Sequence, residues 1–476
     1  MPGPDPVCLV ISGMAHCRFV GNLCRMWLAA LLMASAIGPL VETAAAQTRF
    51  PEQDTLTGDW DGVRIQLRHG GVKFAMTDTA ETLSDPIGGI RQQTIYQGLL
   101  KPSLKLDLDR LVSWPNGSFY IDAYQISGRG LSRNAIGNLL AVSSIEALAS
   151  TRLHDLWLQQ DFPEGEGSLR VGQIGLDDEF YISQYSSMFV NSTFGCPDLL
   201  STDLPSGGPC YPFATPGARF QATPTASVSF SAAAFNGNPA PPGPGDPQVR
   251  NSSGTNFLIG QGGFLTIAEL AYAFDKEPSS SDRLSDVKLG AWYHTADFAD
   301  LRRDTFGRSL ADPARNGIAA AHSGNFGAYL IADKMLWRRP DVASPGLAAF
   351  LRIGGAPGDR NLITFELDTG LSFQGPFPQR EGDVAGIAAS YALISGSARH
   401  FDRDAVVFIG MPRPVRNHEG VIEITYQARI SSWWLLQPDL QLVFNPGGHI
   451  AAPPPAPAGA PIPNTLVLGL RSVVTF

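Results

Sequence analysis

The stretch that most constrains this chain is its end, Asn464–Phe476, where apolar residues recur at alternate positions. Leu466, Leu468, Leu470, Val474 and Phe476 share one parity, and Thr465, Gly469, Arg471 and Thr475 share the other. Successive side chains of a strand point to opposite faces, so this period describes a strand with one greasy and one polar face. Such a strand has two homes. In a soluble domain the greasy face turns inward to a core; in a membrane barrel it turns outward to lipid.

Earlier runs repeat the device. Ile422, Ile424, Tyr426, Ala428 and Ile430 oppose Glu423, Thr425, Gln427 and Arg429, and then Leu440, Leu442 and Phe444 oppose Gln437, Asp439 and Gln441. Between these two runs, Ser431–Trp434 is a short polar turn ending in paired indoles, as an aromatic girdle at a membrane interface requires. Further strand candidates are Ser118–Ile126, Leu153–Gln160, Ser168–Ile174, Ala226–Phe235 and Phe264–Phe274, followed by Val287–His294, Phe326–Asp333, Ala348–Gly354, Thr364–Phe373 and Gly386–Ile394. Each is near the roughly 9–11 residues a tilted strand needs to cross a bilayer, or a little short of it. No amphipathic helical pattern is sustained beyond about three turns. The proline-rich stretches Asn238–Pro247 and Ala451–Pro463 cannot join a ladder, because proline lacks the donor, and read as long connections.

By size alone 476 residues would suggest several soluble domains, yet no composition break divides them once the amino end is set aside. Charged residues make up only 17% of the chain, and 50 Gly and 37 Pro argue for many turns and few long exposed helices. The net charge of −9 gives no footprint for a nucleic-acid partner, which would need a basic patch.

At the amino end, Arg25 precedes the apolar run Met26–Ile37, which gives way to the small residues Ala44, Ala45 and Ala46 before Gln47. Charged flank, short apolar segment and an A-x-A-type site are the anatomy of a secretory signal peptide, expected over residues 1–47 with translation starting at Met14. The run is too short for an anchor helix, which needs roughly 20 apolar residues. Cys8, Cys17 and Cys24 fall in this leader, leaving Cys196 and Cys210 in the exported chain, 48–476. Two cysteines in an oxidising compartment are candidates for a disulfide, worth on the order of 3 kcal/mol in the chain-entropy model. A signal for export, no later run of spanning length and repeated greasy/polar alternation together favour the membrane barrel over the soluble domain. About 27 residues per strand and connection fit sixteen strands, and eighteen fit nearly as well.

Catalytic signatures are missing: no G-x-S-x-G elbow, H-E-x-x-H, G-x-x-x-x-G-K-[ST] or C-x-x-C occurs. Nothing calls for a cofactor or a metal. His154 and His294 lie in strand candidates without a motif around them, so an outer-membrane hydrolase is the enzyme alternative and an exported soluble carbohydrate-binding β-protein the third reading. Asp177, Asp178 and Glu179 place three carboxylates in a row. They could bind calcium through hard oxygen ligands, but no D-x-D-x-D spacing accompanies them, and a solvated loop or a lumen lining fits better.

Taken in order along the chain, several stretches resemble the carbohydrate-selective porins, the OprB-like family of Gram-negative outer membranes. They are Leu56-Thr-Gly-Asp-Trp-Asp-Gly-Val-Arg64, Ile126-Ser-Gly-Arg-Gly-Leu-Ser-Arg133 with Ile136–Leu140, Leu169–Gln173 with Asp177–Phe180, and Phe189–Gly195, Asp203–Gly208 and Ala214–Gly217. In the second half Gly290–Thr295, Gly355–Asn361, Tyr426–Ala428 and Leu436–Gln441 continue the series. The Cys196/Cys210 pair departs from the family pattern. The resemblance implies an all-β, transmembrane antiparallel barrel of sixteen strands, with short periplasmic turns and longer extracellular loops, some folded into the lumen. It implies passive diffusion of glucose and other small sugars across the cell outer membrane, and it carries several partners with it: outer-membrane lipid and lipopolysaccharide, the outer-membrane assembly machinery after export through the Sec pathway, and self-association as a homotrimer or none as a monomer.

Charges avoid the lipid face at a cost of about 2–4 kcal/mol at the midplane, so they must sit in lumen, loop or rim. On that basis Arg129, Arg133, Asp177, Asp178, Glu179, Asp359 and Arg360 are expected to line the pore, where opposed charges order polar solutes. Phe476 is expected to end the signal that the assembly machinery reads, its strand closing the barrel against the first so that no edge stays unpaired.

Overall fold

The structure is a computed structural model and describes residues 53–260, 262–276, 283–338, 346–410 and 412–476. The expected signal peptide lies outside the described residues. Sixteen antiparallel strands form one closed sheet, each paired with its sequence neighbours and the last with the first. The first six are β1 (Val72–Ile87), β2 (Thr94–Asp107), β3 (Gly117–Gly128), β4 (Ser150–Asp161), β5 (Gly167–Ile174) and β6 (Thr215–Thr225). Then come β7 (Val228–Asn236), β8 (Phe264–Lys276), β9 (Arg283–Asp304), β10 (Ala319–Arg338) and β11 (Gly346–Gly355). The sheet finishes with β12 (Ile363–Gln374), β13 (Val384–Ile394), β14 (His418–Arg429), β15 (Trp434–Phe444) and β16 (Thr465–Thr475). The strand number is therefore sixteen, not eighteen.

Parity decides which face looks where. In β16, Thr465 and Val467 are buried while Leu470 is exposed, and in β14 Glu423 is fully buried while Ile424 is exposed. Leu466, Leu468 and Leu470 thus face outward with Ile422, Ile424, Leu440 and Leu442, and the polar row turns inward. Closure keeps this register: Thr82 pairs with Leu470 and Leu83 with Gly469 across the β1–β16 seam. Closing the sheet leaves no edge and satisfies every ladder, which is what a strand protein in lipid needs.

One rim carries short turns, such as 226–227 and 430–433; the other carries long connections, including 129–149, 175–214, 237–263 and 445–464. Both proline-rich stretches fall in these long connections. Before β1 a short helix, α1 (Val63–His69), lies by the chain end on the short-turn rim. Arg64 is buried there, donating from Nη2 to the Phe476 oxygen at 2.7 Å and from Nη1 to Thr55 Oγ1 at 2.8 Å.

Three observed features differ from the sequence expectation. β1, β2 and β6 are absent from the candidate strands, for a reason taken up in the Discussion. β9 and β10 run for 22 and 20 residues, well past the candidates Val287–His294 and Phe326–Asp333, because the hairpin continues beyond the apolar stretch. A 14-residue helix, α2 (Gly396–Ile409), occupies the connection before β14. Ser395 caps it by accepting the Ala398 N–H at 3.1 Å, and Gly410 ends it in the left-handed conformation.

Candidate functional site: the narrowed lumen

The connections 129–149 and 175–214 turn into the barrel and build a small core of their own against the inward-facing wall. Leu131, Ile136, Leu140, Phe180, Phe194 and Leu199 are among the buried apolar residues they bring, packed with Ile267, Ile331, Phe350, Val421 and Val467 of the strands. Irregular backbone at membrane depth must find partners for its N–H groups, since no lipid atom can accept them. The wall supplies carboxylates. Glu419 accepts the N–H groups of Leu139 at 2.9 Å and Leu140 at 2.7 Å, and Glu423 those of Val190 at 2.6 Å and Asn191 at 2.9 Å. Glu366 accepts the Asp198 N–H at 3.1 Å and the Thr193 hydroxyl at 2.7 Å, while Asp333 accepts the Gln184 N–H at 2.9 Å.

Arg352 works in the opposite sense. Fully buried on β11 and paired with Asp368 at 2.8 Å, it donates to the carbonyls of Tyr181 at 3.2 Å and Gly195 at 2.9 Å. Hydrogen bonds with one ionised partner are about twice as strong as neutral ones, so this set fixes the infolded segments firmly. Within connection 175–214, Cys196 and Cys210 are joined sulfur to sulfur, with their Cα atoms 6.2 Å apart.

Charged residues gather beside these segments. On the inner wall of β2 to β6, Lys101 pairs with Asp122 at 3.0 Å, and Tyr120 donates to the same carboxylate at 3.0 Å. Glu179 receives Arg219 Nε at 2.7 Å and also pairs with Arg170. The Arg170 guanidinium lies 3.8 Å above the Trp157 ring, which stacks on Tyr120 at 5.0 Å. Asp178 is exposed beside this ladder, and Asp177 accepts the Tyr211 N–H at 3.0 Å. Burial, and next the charge of Asp178, push the Asp177 carboxyl up to about 6.

A second group of expected residues meets in a cavity of about 510 Å³ lined by Arg129, Arg133, Asn134, Asn138, Glu146 and Gln248. Arg129 is exposed there, whereas Arg133 pairs with Asp246. Burial raises the Glu146 carboxyl, and the N–H groups of Arg133 (2.9 Å) and Ser132 (3.1 Å) oppose the rise. Gly130 makes room for this carboxylate, since a Cβ there would meet Glu146 Oε1 at 2.0 Å. Asp359 and Arg360 stand apart in the connection between β11 and β12. They pair with each other at 2.8 Å, and Arg360 donates to the Gly324 carbonyl of the β9–β10 hairpin at 2.7 Å.

Reasoning from sequence missed Lys101, Tyr120, Asp122, Trp157, Arg170 and Arg219, along with the anchoring acids Glu366 and Glu419. The signal existed. A charged residue flanked by greasy ones within a short alternating run, such as Glu366 between Phe365 and Leu367, has only the lumen to face.

A closed barrel with an apolar outer face, one rim of short turns and a polar lumen narrowed by infolded loops defines an outer-membrane porin. Within that class the chain belongs to the carbohydrate-selective porin, OprB family, whose pattern matches residues 91–476. It is an outer-membrane channel for the diffusion of carbohydrates. Leu56–Arg64, which also carries the resemblance, precedes the matched residues. The chain is similar to Porin B of Pseudomonas aeruginosa, 22% identical over 461 residues that cover 94% of this chain and 96% of that protein. It also resembles the putative porin QuiX of Acinetobacter baylyi, 22% identical over 447 residues covering 88% and 94%. Among solved structures, the high-pH form of Pseudomonas putida OprB shares its fold, with a TM-score of 0.78 at 20% identity over 90% of this chain and all of that one.

Proposed function

We propose that small sugars, glucose among them, pass through this lumen without chemical conversion, held briefly by the charged ladder on β2 to β6 and by the residues at its mouth. A sugar offers hydroxyls all round, each able to donate and accept. Lys101 and Arg170 supply donors, and Asp178 and Glu179 supply acceptors within electrostatic reach of them. That arrangement of fixed donors facing fixed acceptors, set over Tyr120 and Trp157, is the observation that carries the reading. Binding must stay weak, because a tight site would block conduction. Arg129 and Arg133 receive the solute first, and Asp359 and Arg360 shape the rim opposite.

Liposome swelling tests this. Reconstituted protein admits glucose faster than an amino acid of similar size, and the double variant Arg129→Ala/Arg133→Ala loses that preference while staying folded. Equal entry of both solutes into wild-type vesicles would remove the proposed selectivity, and unchanged sugar preference in the double variant would remove the two arginines from the path. Incubating the barrel with oligosaccharides should release no new reducing ends, as a channel without hydrolase activity requires. We also propose that the Cys196–Cys210 bond forms in the exported protein, so alkylation without reduction should leave its mass unchanged.

A further inference from the structure

At the root of the infolded connection 175–214, where it leaves β5, a histidine and several carboxylates converge, of which only Asp178 also belongs to the proposed sugar path. We propose that His154, Asp155 and Asp178, with Asp177 beside them, form a site for a divalent metal ion of the zinc class. One donor atom from each of His154, Asp155 and Asp178 lies within 4.8 Å of the others. His154 is 1% exposed, and its Nδ1 makes no hydrogen bond. That nitrogen faces Asp122 Oδ1 at 3.3 Å and Asp155 Oδ1 at 3.7 Å. Ligands held tetrahedrally at 2.0–2.2 Å from a metal lie roughly 3.3–3.6 Å apart, so the His154–Asp155 pair needs only a slight closing movement to become neighbouring ligands.

Two further observations point to the same spot. Asp177 Oδ1 is shielded from solvent and has no hydrogen-bond partner. Gly175 lies directly against the group, and any side chain there would crowd it: a Cβ would stand 3.2 Å from each of Asp177 Oδ1, Asp178 Oδ2 and His154 Cε1. Charge argues likewise. Asp122 is neutralised by Lys101 and Glu179 by Arg170 and Arg219, but among the described residues no lysine or arginine forms an ion pair with Asp155, Asp177 or Asp178. Three carboxylates and an imidazole without a directly paired cation are costly to gather in a partly desolvated place, and one imidazole among oxygens favours zinc over the all-oxygen shell of calcium. The competing occupant is a proton, which would turn His154 into an imidazolium between Asp122 and Asp155.

Untagged full-length barrel, extracted in detergent, stripped by a chelator and equilibrated with Zn²⁺ alone, separates the two. After washing, wild-type protein should retain about one zinc per barrel, as one four-ligand site holds. His154→Gln should retain none, and Asp178→Asn should bind at least tenfold more weakly. Because Asp178 is exposed, its variant tests the site even where loss of the buried imidazole disturbs folding, and heat-modifiable migration on gels reports the fold of each. Wild-type barrel that retains no zinc overturns the proposal in favour of the imidazolium, and zinc retained equally by both variants overturns it in favour of unrelated surface binding. Zinc retention is read without any solute flux, so the channel reading stands or falls separately.

Discussion

Glu423 shows what a single residue does in this barrel. Its two oxygens accept the N–H groups of Val190 and Asn191, segments of chain 233 and 232 positions away. Replacing it by Ala leaves both donors buried and unmet, at about 1–3 kcal/mol each. Thermal unfolding in detergent should therefore begin at a lower temperature in Glu423→Ala, and single-channel current should become noisier as the infolded segment loosens. Glu423→Gln keeps one acceptor oxygen and should fall between the two. That Glu423 faces inward was legible from its place among Ile422 and Ile424. Its partner was not, because nothing in a local run announces a donor more than two hundred residues away. The same holds for Glu179: three consecutive acids suggested a lumen lining, but the claim on it by Arg170 and Arg219 depends on the pairing of β5 with β6.

At the scale of elements, strands were legible where their outward row is uniformly greasy. β14, β15 and β16 are such strands. The outward row of β1 includes Asp78, Thr82 and Ser84, as their pairing with Val474, Leu470 and Leu468 places them, and no greasy/polar contrast survives there. β2 carries Gly98 and Pro102, and β6 carries Pro216 and Pro224, residues that read as strand breakers. The infolding of 175–214 was not legible in the stretch itself, since its apolar residues follow no period; the family resemblance implied only that some loops enter the lumen. Replacing 176–209 by a short Gly/Ser linker should keep a closed barrel, judged by heat-modifiable migration, while raising conductance severalfold and abolishing discrimination between glucose and amino acids. Unchanged conductance would mean that this segment does not narrow the pore. The last strand and the first helix make a second testable unit. Arg64 holds the Phe476 oxygen, and the Phe476 N–H bonds to Met76 at 2.9 Å, so the helix before β1 and the last residue seal one seam. Deleting Phe476 should lower the amount of assembled barrel in the outer membrane, whereas Arg64→Ala should leave that amount nearly intact and lower the temperature at which the folded band disappears. Normal assembly of the truncated chain would show that the terminal aromatic is not part of the signal.

For the whole molecule, the sheet and its filling divide the work. The outer face, read from alternation, fixes where the chain resides; the inner face, anchored by buried acids and Arg352, fixes how much of the lumen stays open. On the function proposed above, selectivity belongs to the ladder of Lys101, Asp178, Glu179 and Arg170 rather than to the barrel that carries it. The most direct test is the current through one reconstituted channel in a planar bilayer as glucose is added. A weak internal site predicts excess current noise that rises with glucose and saturates, and that an amino acid of similar size fails to produce. A channel that conducts ions with noise indifferent to sugar would contradict the claim that this lumen recognises carbohydrate.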